Sequence, residues 1–157
     1  MSQEQAELRE VGVDRLLAFS DGVFAIAITL LVLDLHEPIV AHGLVDALLK
    51  EWPAYLSYVL SFLIIGILWV QHHAMFRSIR RTDHLFLLIN VVFLMWIAVL
   101  PFPTALLAKY LDNSTQQQTA TSISTGAFVI GGVLFNLLWR YAIRRGRLLG
   151  RRWIVEL

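Results

Sequence analysis

The stretch Leu16-Leu-Ala-Phe-Ser-Asp-Gly-Val-Phe-Ala-Ile-Ala-Ile-Thr-Leu-Leu-Val-Leu-Asp-Leu35 decides the class of this fold. Only Ser20, Asp21, Thr29 and Asp34 interrupt it, so a helix over these residues is apolar around most of its circumference and not along one stripe. At ~1.5 Å per residue such a run matches the ~30 Å hydrocarbon core of a bilayer. Three further stretches repeat the pattern, which places spans over 16–35, 52–73, 85–108 and 121–141. The third carries no charge at all, and Pro38 separates the first from the second. Strands are a poor alternative, because the runs are too long and do not alternate.

Composition points the same way. The chain of 157 residues is 57% hydrophobic and 16% charged, with a mean hydropathy of +0.65. Soluble domains carry about 25% charged residues and about 45–50% apolar ones. A net charge of +1 offers no case for nucleic acid as a partner. The absence of cysteine excludes disulfide frameworks, iron–sulfur clusters, cysteine nucleophiles and thiolate zinc sites. The acidic start lacks a basic n-region, so no cleaved signal peptide is expected. The reading is an all-α, polytopic transmembrane helix bundle, with residues 1–157 as one transmembrane domain in contact with the lipid bilayer.

Cations fix the orientation. Of 13 Lys and Arg residues, all but Lys50 and Lys109 fall in the N-terminal tail, the second connection or the C-terminal segment. Arg9 and Arg15 lie in the first, Arg77, Arg80 and Arg81 in the second, and Arg140, Arg144, Arg145, Arg147, Arg151 and Arg152 in the third. The positive-inside rule then puts both termini in the cytoplasm of a multi-pass cell-membrane protein. The arginine-rich end serves that orientation and could also touch anionic headgroups. After Pro38, apolar residues recur at Val40, Leu44, Val45, Leu48, Leu49 and Trp52 between His42, Asp46, Lys50 and Glu51. That spacing suits a short amphipathic helix on the membrane, or a plain cap on the second span.

Ionisable groups at membrane depth are costly, so each needs a partner or a role. Asp21, His72, Asn90 and Asn136 lie at similar distances from the cytoplasmic edge, one in each span, with Trp69, Gln71 and His73 nearby. They could be interhelical glue worth about 1 kcal/mol per bond. They could also relay protons through Asp21 and a histidine. His72 and His73 are consecutive, and metal pairs on a helix need spacings of three or four. No Ser-His-Asp set, paired carboxylates or His-Glu-x-x-His accompanies them, so neither an enzyme nor a bound cofactor or resident metal is expected. On the first helix, Gly22, Ile26, Thr29 and Leu33 share one face, with Leu30 beside it. Such a face can pack on another helix or, in several copies, surround an axis as apolar rings with a threonine layer between.

The run from Arg15 through Phe19-Ser20-Asp21 into Ala-Ile26-Ala-Ile-Thr29-Leu30 strongly resembles the first helix of the transmembrane protein 175 family. That family comprises endosomal and lysosomal potassium channels and shorter bacterial relatives. The Trp69-x-x-His72-His73 ending of the second span and the third span from Asn90 to Pro101 are also similar, and the resemblance covers roughly residues 11–145. It implies a potassium-preferring channel built as a homotetramer of single-repeat subunits around a central pore lined by the first helix. Carried over by position, Ile26, Leu30 and Leu33 form the constriction, and Thr29 forms the layer tied to potassium, the permeant ion. Arg15, Phe19, Ser20 and Asp21 match the motif that holds the helices together, with Trp69, Asn90 and one of His72 and His73 as partners. Bacterial members have six helices per subunit and this chain offers four, with the pore helix and its motif intact. A Thr-Val-Gly-Tyr-Gly filter is absent, which excludes a carbonyl-lined potassium filter. Two other readings stay open beside the channel. One is a small proton-coupled transporter or proton leak using Asp21 and His72 or His73; the other is a membrane assembly protein without transport.

Overall fold

The computed structural model describes residues 3–35, 43–80, 82–110 and 115–144, with the backbone alone for residues 3–11 and 34. The first helix, α1 (Gln3–Leu30), tightens at its end into a 3-10 turn, Leu31–Asp34. The short α2 (Leu44–Lys50) leads directly into α3 (Trp52–Arg77). Next come α4 (His84–Val99), α5 (Pro101–Tyr110) and α6 (Gln117–Arg144). By length and hydropathy, Gly12–Leu33, Trp52–Arg77, His84–Tyr110 and Gln117–Arg144 are each able to cross a membrane.

The uncharged third stretch is not one straight helix. Pro101 and Pro103 have no backbone N–H to donate, and the chain turns at Leu100 between α4 and α5. Carbonyls around that kink must be satisfied internally, since lipid offers no donors. Thr104 Oγ1 donates back to the Pro101 carbonyl at 2.7 Å, Ser57 of α3 donates to the Thr104 carbonyl at 3.1 Å, and Ser124 of α6 donates to the Pro103 carbonyl. Two hydroxyls, Ser57 and Ser124, thus hold α5 between α3 and α6, and Thr104 satisfies a carbonyl of its own helix.

The bundle is built around α4, with α1 on one side and α6 on the other. Among the described residues of α1, Val13, Ser20, Phe24 and Ala27 are buried on one helical face, which Leu31 of the 3-10 turn continues. They meet Phe76, Phe86, Phe93 and Ile97 in a core of interlocked rings and aliphatic chains. Because lipid tails are as apolar as these side chains, dispersion between packed atoms does the holding, more than exclusion of water. On α6 the buried set is Ala120, Ser124, Ala127, Gly131, Leu138 and Ala142, and the small members let the backbones approach. Trp96 fills that close approach, with Cδ1 3.4 Å from where a Cβ on Gly131 would lie, and Nε1 donating to the Ala127 carbonyl at 2.9 Å.

At the arginine-rich end, Asp83 caps α4 by accepting from the Phe86 N–H at 2.8 Å. Its second oxygen accepts from the Tyr141 hydroxyl at 2.7 Å, which ties α4 to α6. Among the described residues, the amphipathic connection forms a helix over Leu44–Lys50, entered through Gly43 in the left-handed conformation at φ +76°. Val40 and His42 of the expected pattern lie outside the described residues, as do Arg81, Arg145, Arg147, Arg151 and Arg152.

Candidate functional site

Two neighbouring polar sets and one apolar face make up the site. The first set is fully enclosed. Ser20 Oγ donates to the Leu16 carbonyl at 2.9 Å and accepts from Asn90 Nδ2 at 3.1 Å. Asn90 Oδ1 accepts from His72 Nε2 at 2.9 Å, so α1, α4 and α3 are linked in one chain of bonds. Nε2 carries the proton of that bond, and the buried Nδ1 has no hydrogen-bond partner. The imidazole has no exposed surface and packs among Phe76 at 4.6 Å, Phe24 at 5.4 Å and Phe93 at 5.6 Å between ring centroids.

The second set lies one residue further along both helices and opens outward. Trp69 Nε1 donates to Asp21 Oδ1 at 2.8 Å, and His73 Nδ1 stands 3.8 Å from Asp21 Oδ2. The side chains of His73 and Asp21 are 38% and 35% exposed, and the Trp69 and His73 rings lie 5.6 Å apart. Sequence left open which histidine joins the motif; the structure divides them, His72 to Ser20 and Asn90, His73 to Asp21 and Trp69. Arg15 and Phe19 are exposed and stand outside both sets.

Asn136, expected at the same level, is exposed on α6 and makes none of these bonds. It lies two residues from the buried Leu138, about 200° around the helix, and so on the opposite face. At the arginine-rich end a polar link from α6 is made by Tyr141 to Asp83 instead, which gave no motif to find. The ring enclosure around His72 was equally hidden, because Phe24, Phe76 and Phe93 come from three helices.

The apolar face is the unburied side of α1. Ile26 is 62% exposed, Leu30 42% and Leu33 69%, with Gly22 and Thr29 exposed among them. Thr29 Oγ1 donates to the Ile26 carbonyl at 2.9 Å, which spends the hydroxyl proton on the backbone and leaves the oxygen's lone pairs for another partner. Among the described residues, no group of three or more His, Cys, Asp or Glu side chains could hold a metal ion.

The family model described as the endosomal/lysosomal potassium channel TMEM175 matches residues 15–101. A potassium channel of Chamaesiphon minutus is 46% identical over 153 residues, covering 95% of this chain and 74% of that protein. A potassium channel of Streptomyces collinus is 44% identical over 88% of this chain and 68% of its own length. The endosomal/lysosomal proton channel TMEM175 of Gallus gallus is 33% identical over 85% of this chain but only 29% of that protein. Among solved structures, that of a lysosomal potassium-selective channel TMEM175 homolog from Chamaesiphon minutus superposes with a TM-score of 0.81. It shares 46% identity, covering 84% of this chain and 72% of that one.

Proposed function

The chain belongs to the TMEM175 channel family, and from that membership and the unpartnered face of α1 we propose that it is a potassium-preferring cation channel, not an enzyme. Four copies place α1 around a central axis in the cell membrane, with both termini cytoplasmic. The observation that carries this reading is the exposure of Ile26, Leu30 and Leu33 with Thr29 on the same side of α1, while the opposite side is fully packed.

The chemistry follows from that arrangement. Rings of isoleucine and leucine exclude a full hydration shell and set the barrier by dewetting. A ring of Thr29 oxygens, whose protons are already donated to Ile26 carbonyls, offers lone pairs to a partly dehydrated potassium ion. No other cofactor is called for. Ser20, Asp21, Trp69, His72, His73 and Asn90 hold α1 against α3 and α4, so they set the pore radius without lining it. Arg15 and Phe19 point out of the subunit, where a neighbouring copy would meet them.

A second reading has its own observation. The half-exposed Asp21–His73 pair, at 3.8 Å, resembles a proton relay, and the vertebrate relatives are named proton channels. Purified protein in liposomes separates the readings. Potassium flux exceeding sodium flux, with little proton flux, is the expected result. Proton flux alone supports the relay, and the absence of any flux supports an assembly protein without transport.

A further inference from the structure

At the end of the bundle opposite the arginines, a groove of about 670 Å³ opens between the start of α3 and α5. We propose that this groove binds one anionic phospholipid, with the phosphodiester between Lys50 and Lys109 and an acyl chain laid along Phe102 and Leu106. The volume is within the ~300–1,000 Å³ of sites that hold small molecules. Its walls divide by chemistry along the membrane normal. Pro53, Ala54, Ala105 and Leu106 form an apolar inner wall, while Lys50, Glu51, Lys109 and Tyr110 form the rim.

Several observations place that rim at headgroup level. Trp52 and Tyr55, both exposed, and the half-buried Tyr110 ring the same end, as aromatic side chains do at a membrane interface. The helix α2 buries none of its residues in the protein and exposes Leu44, Val45, Leu48 and Leu49, an apolar surface suited to lying on lipid. Lys109 stands over the Tyr110 ring at 5.6 Å, and neither lysine has a carboxylate partner among the described residues. Among the described residues that line the groove, Glu51 is the only acidic one beside two lysines, a net charge of +1 that matches the single negative charge of a phosphatidylglycerol headgroup. A free phosphate would need the two ammonium groups only, and the long apolar wall distinguishes a lipid.

Native mass spectrometry of the delipidated full chain, supplied with phosphatidylglycerol or phosphatidylcholine, tests this. The wild type is expected to retain phosphatidylglycerol in preference to phosphatidylcholine. Lys50→Gln with Lys109→Gln is expected to lower that retention about thirtyfold, two lysines each acting near a membrane surface. Phe102→Ala, at a site 69% exposed and so harmless to folding, is expected to lower it with both lysines intact. Millimolar inorganic phosphate is expected not to displace the lipid. Retention in the double variant equal to wild type overturns the proposal, because anionic lipid is then held elsewhere, for instance at the arginine-rich end. Displacement by inorganic phosphate, or no effect of Phe102→Ala, overturns the lipid and leaves a free-anion site. Ion flux is not read in this experiment, so its outcome stands apart from that of the channel reading.

Discussion

Ser20 and Asp21 are neighbours on α1, and His72 and His73 are neighbours on α3, yet the two pairs they form live in different media. Ser20 and His72 are sealed behind Phe24, Phe76 and Phe93, with Asn90 supplying both a donor and an acceptor. Asp21 and His73 are each more than a third exposed, with Trp69 Nε1 bonded to Asp21. A step of one residue turns a helical side chain by about 100°, which is enough to move it from the core to the margin. The inner pair is therefore closed to solvent, while the outer pair sits at the margin of the bundle.

Phe24→Ala strikes the inner pair hardest. It opens a cavity beside His72 and is expected to cost about 3–5 kcal/mol, the range for a buried aromatic truncated in a packed core. Thermal unfolding in detergent measures it, and a loss below ~1 kcal/mol would show that the ring enclosure is loose. Asn90→Leu keeps the volume but leaves the His72 Nε2 proton without an acceptor, with an expected loss of about 1–3 kcal/mol. The same melt reads it, and an unchanged melting temperature would mean that His72 finds another partner.

Changes to the outer pair should be milder in stability and visible in transport. Asp21→Asn keeps an oxygen for Trp69 Nε1 and is expected to shift stability by less than about 1 kcal/mol, with assembly on detergent sizing and potassium flux both retained. Proton flux in the wild type that disappears in this variant would move the function to the outer pair. Least disruptive to folding are changes on the exposed face of α1, within about 0.5 kcal/mol. There Ile26→Asn is expected to raise conductance and lower selectivity by wetting the constriction, and Thr29→Val to lower potassium-over-sodium preference at constant volume. Unchanged currents in both variants would remove α1 from the pore.

Much of this was legible in the chain itself. Four long apolar runs could only be membrane helices, because bilayer thickness and backbone hydrogen bonding leave no other solution. The four- and three-residue spacing of Gly22, Ile26, Thr29 and Leu33 marked one face of α1, which lies about opposite the buried Phe24 and Leu31. Of the Phe-Ser-Asp element, Ser20 and Asp21 enter the two polar sets and Phe19 stands outside both. Depth counted along each helix put Asn136 level with Asp21, His72 and Asn90, but depth says nothing about the direction a side chain faces.

Helix length, charge asymmetry and periodicity belong to single segments, and for this chain they sufficed for four helices long and apolar enough to cross a membrane. Pairing depends on how the helices rotate against one another, and only the tertiary structure decides that. It joined His72 to Asn90 and His73 to Asp21, turned Asn136 outward and Tyr141 toward Asp83, and broke the third span at Pro101 under three hydroxyls from its own helix and two others. The physical reason is that a lipid-embedded polar group must find its partner within the protein, and the available partner is set by packing of the large rings around it. Phe24, Phe76 and Phe93 occupy the space that selects which histidine is enclosed, and no local pattern in any one helix encodes that choice.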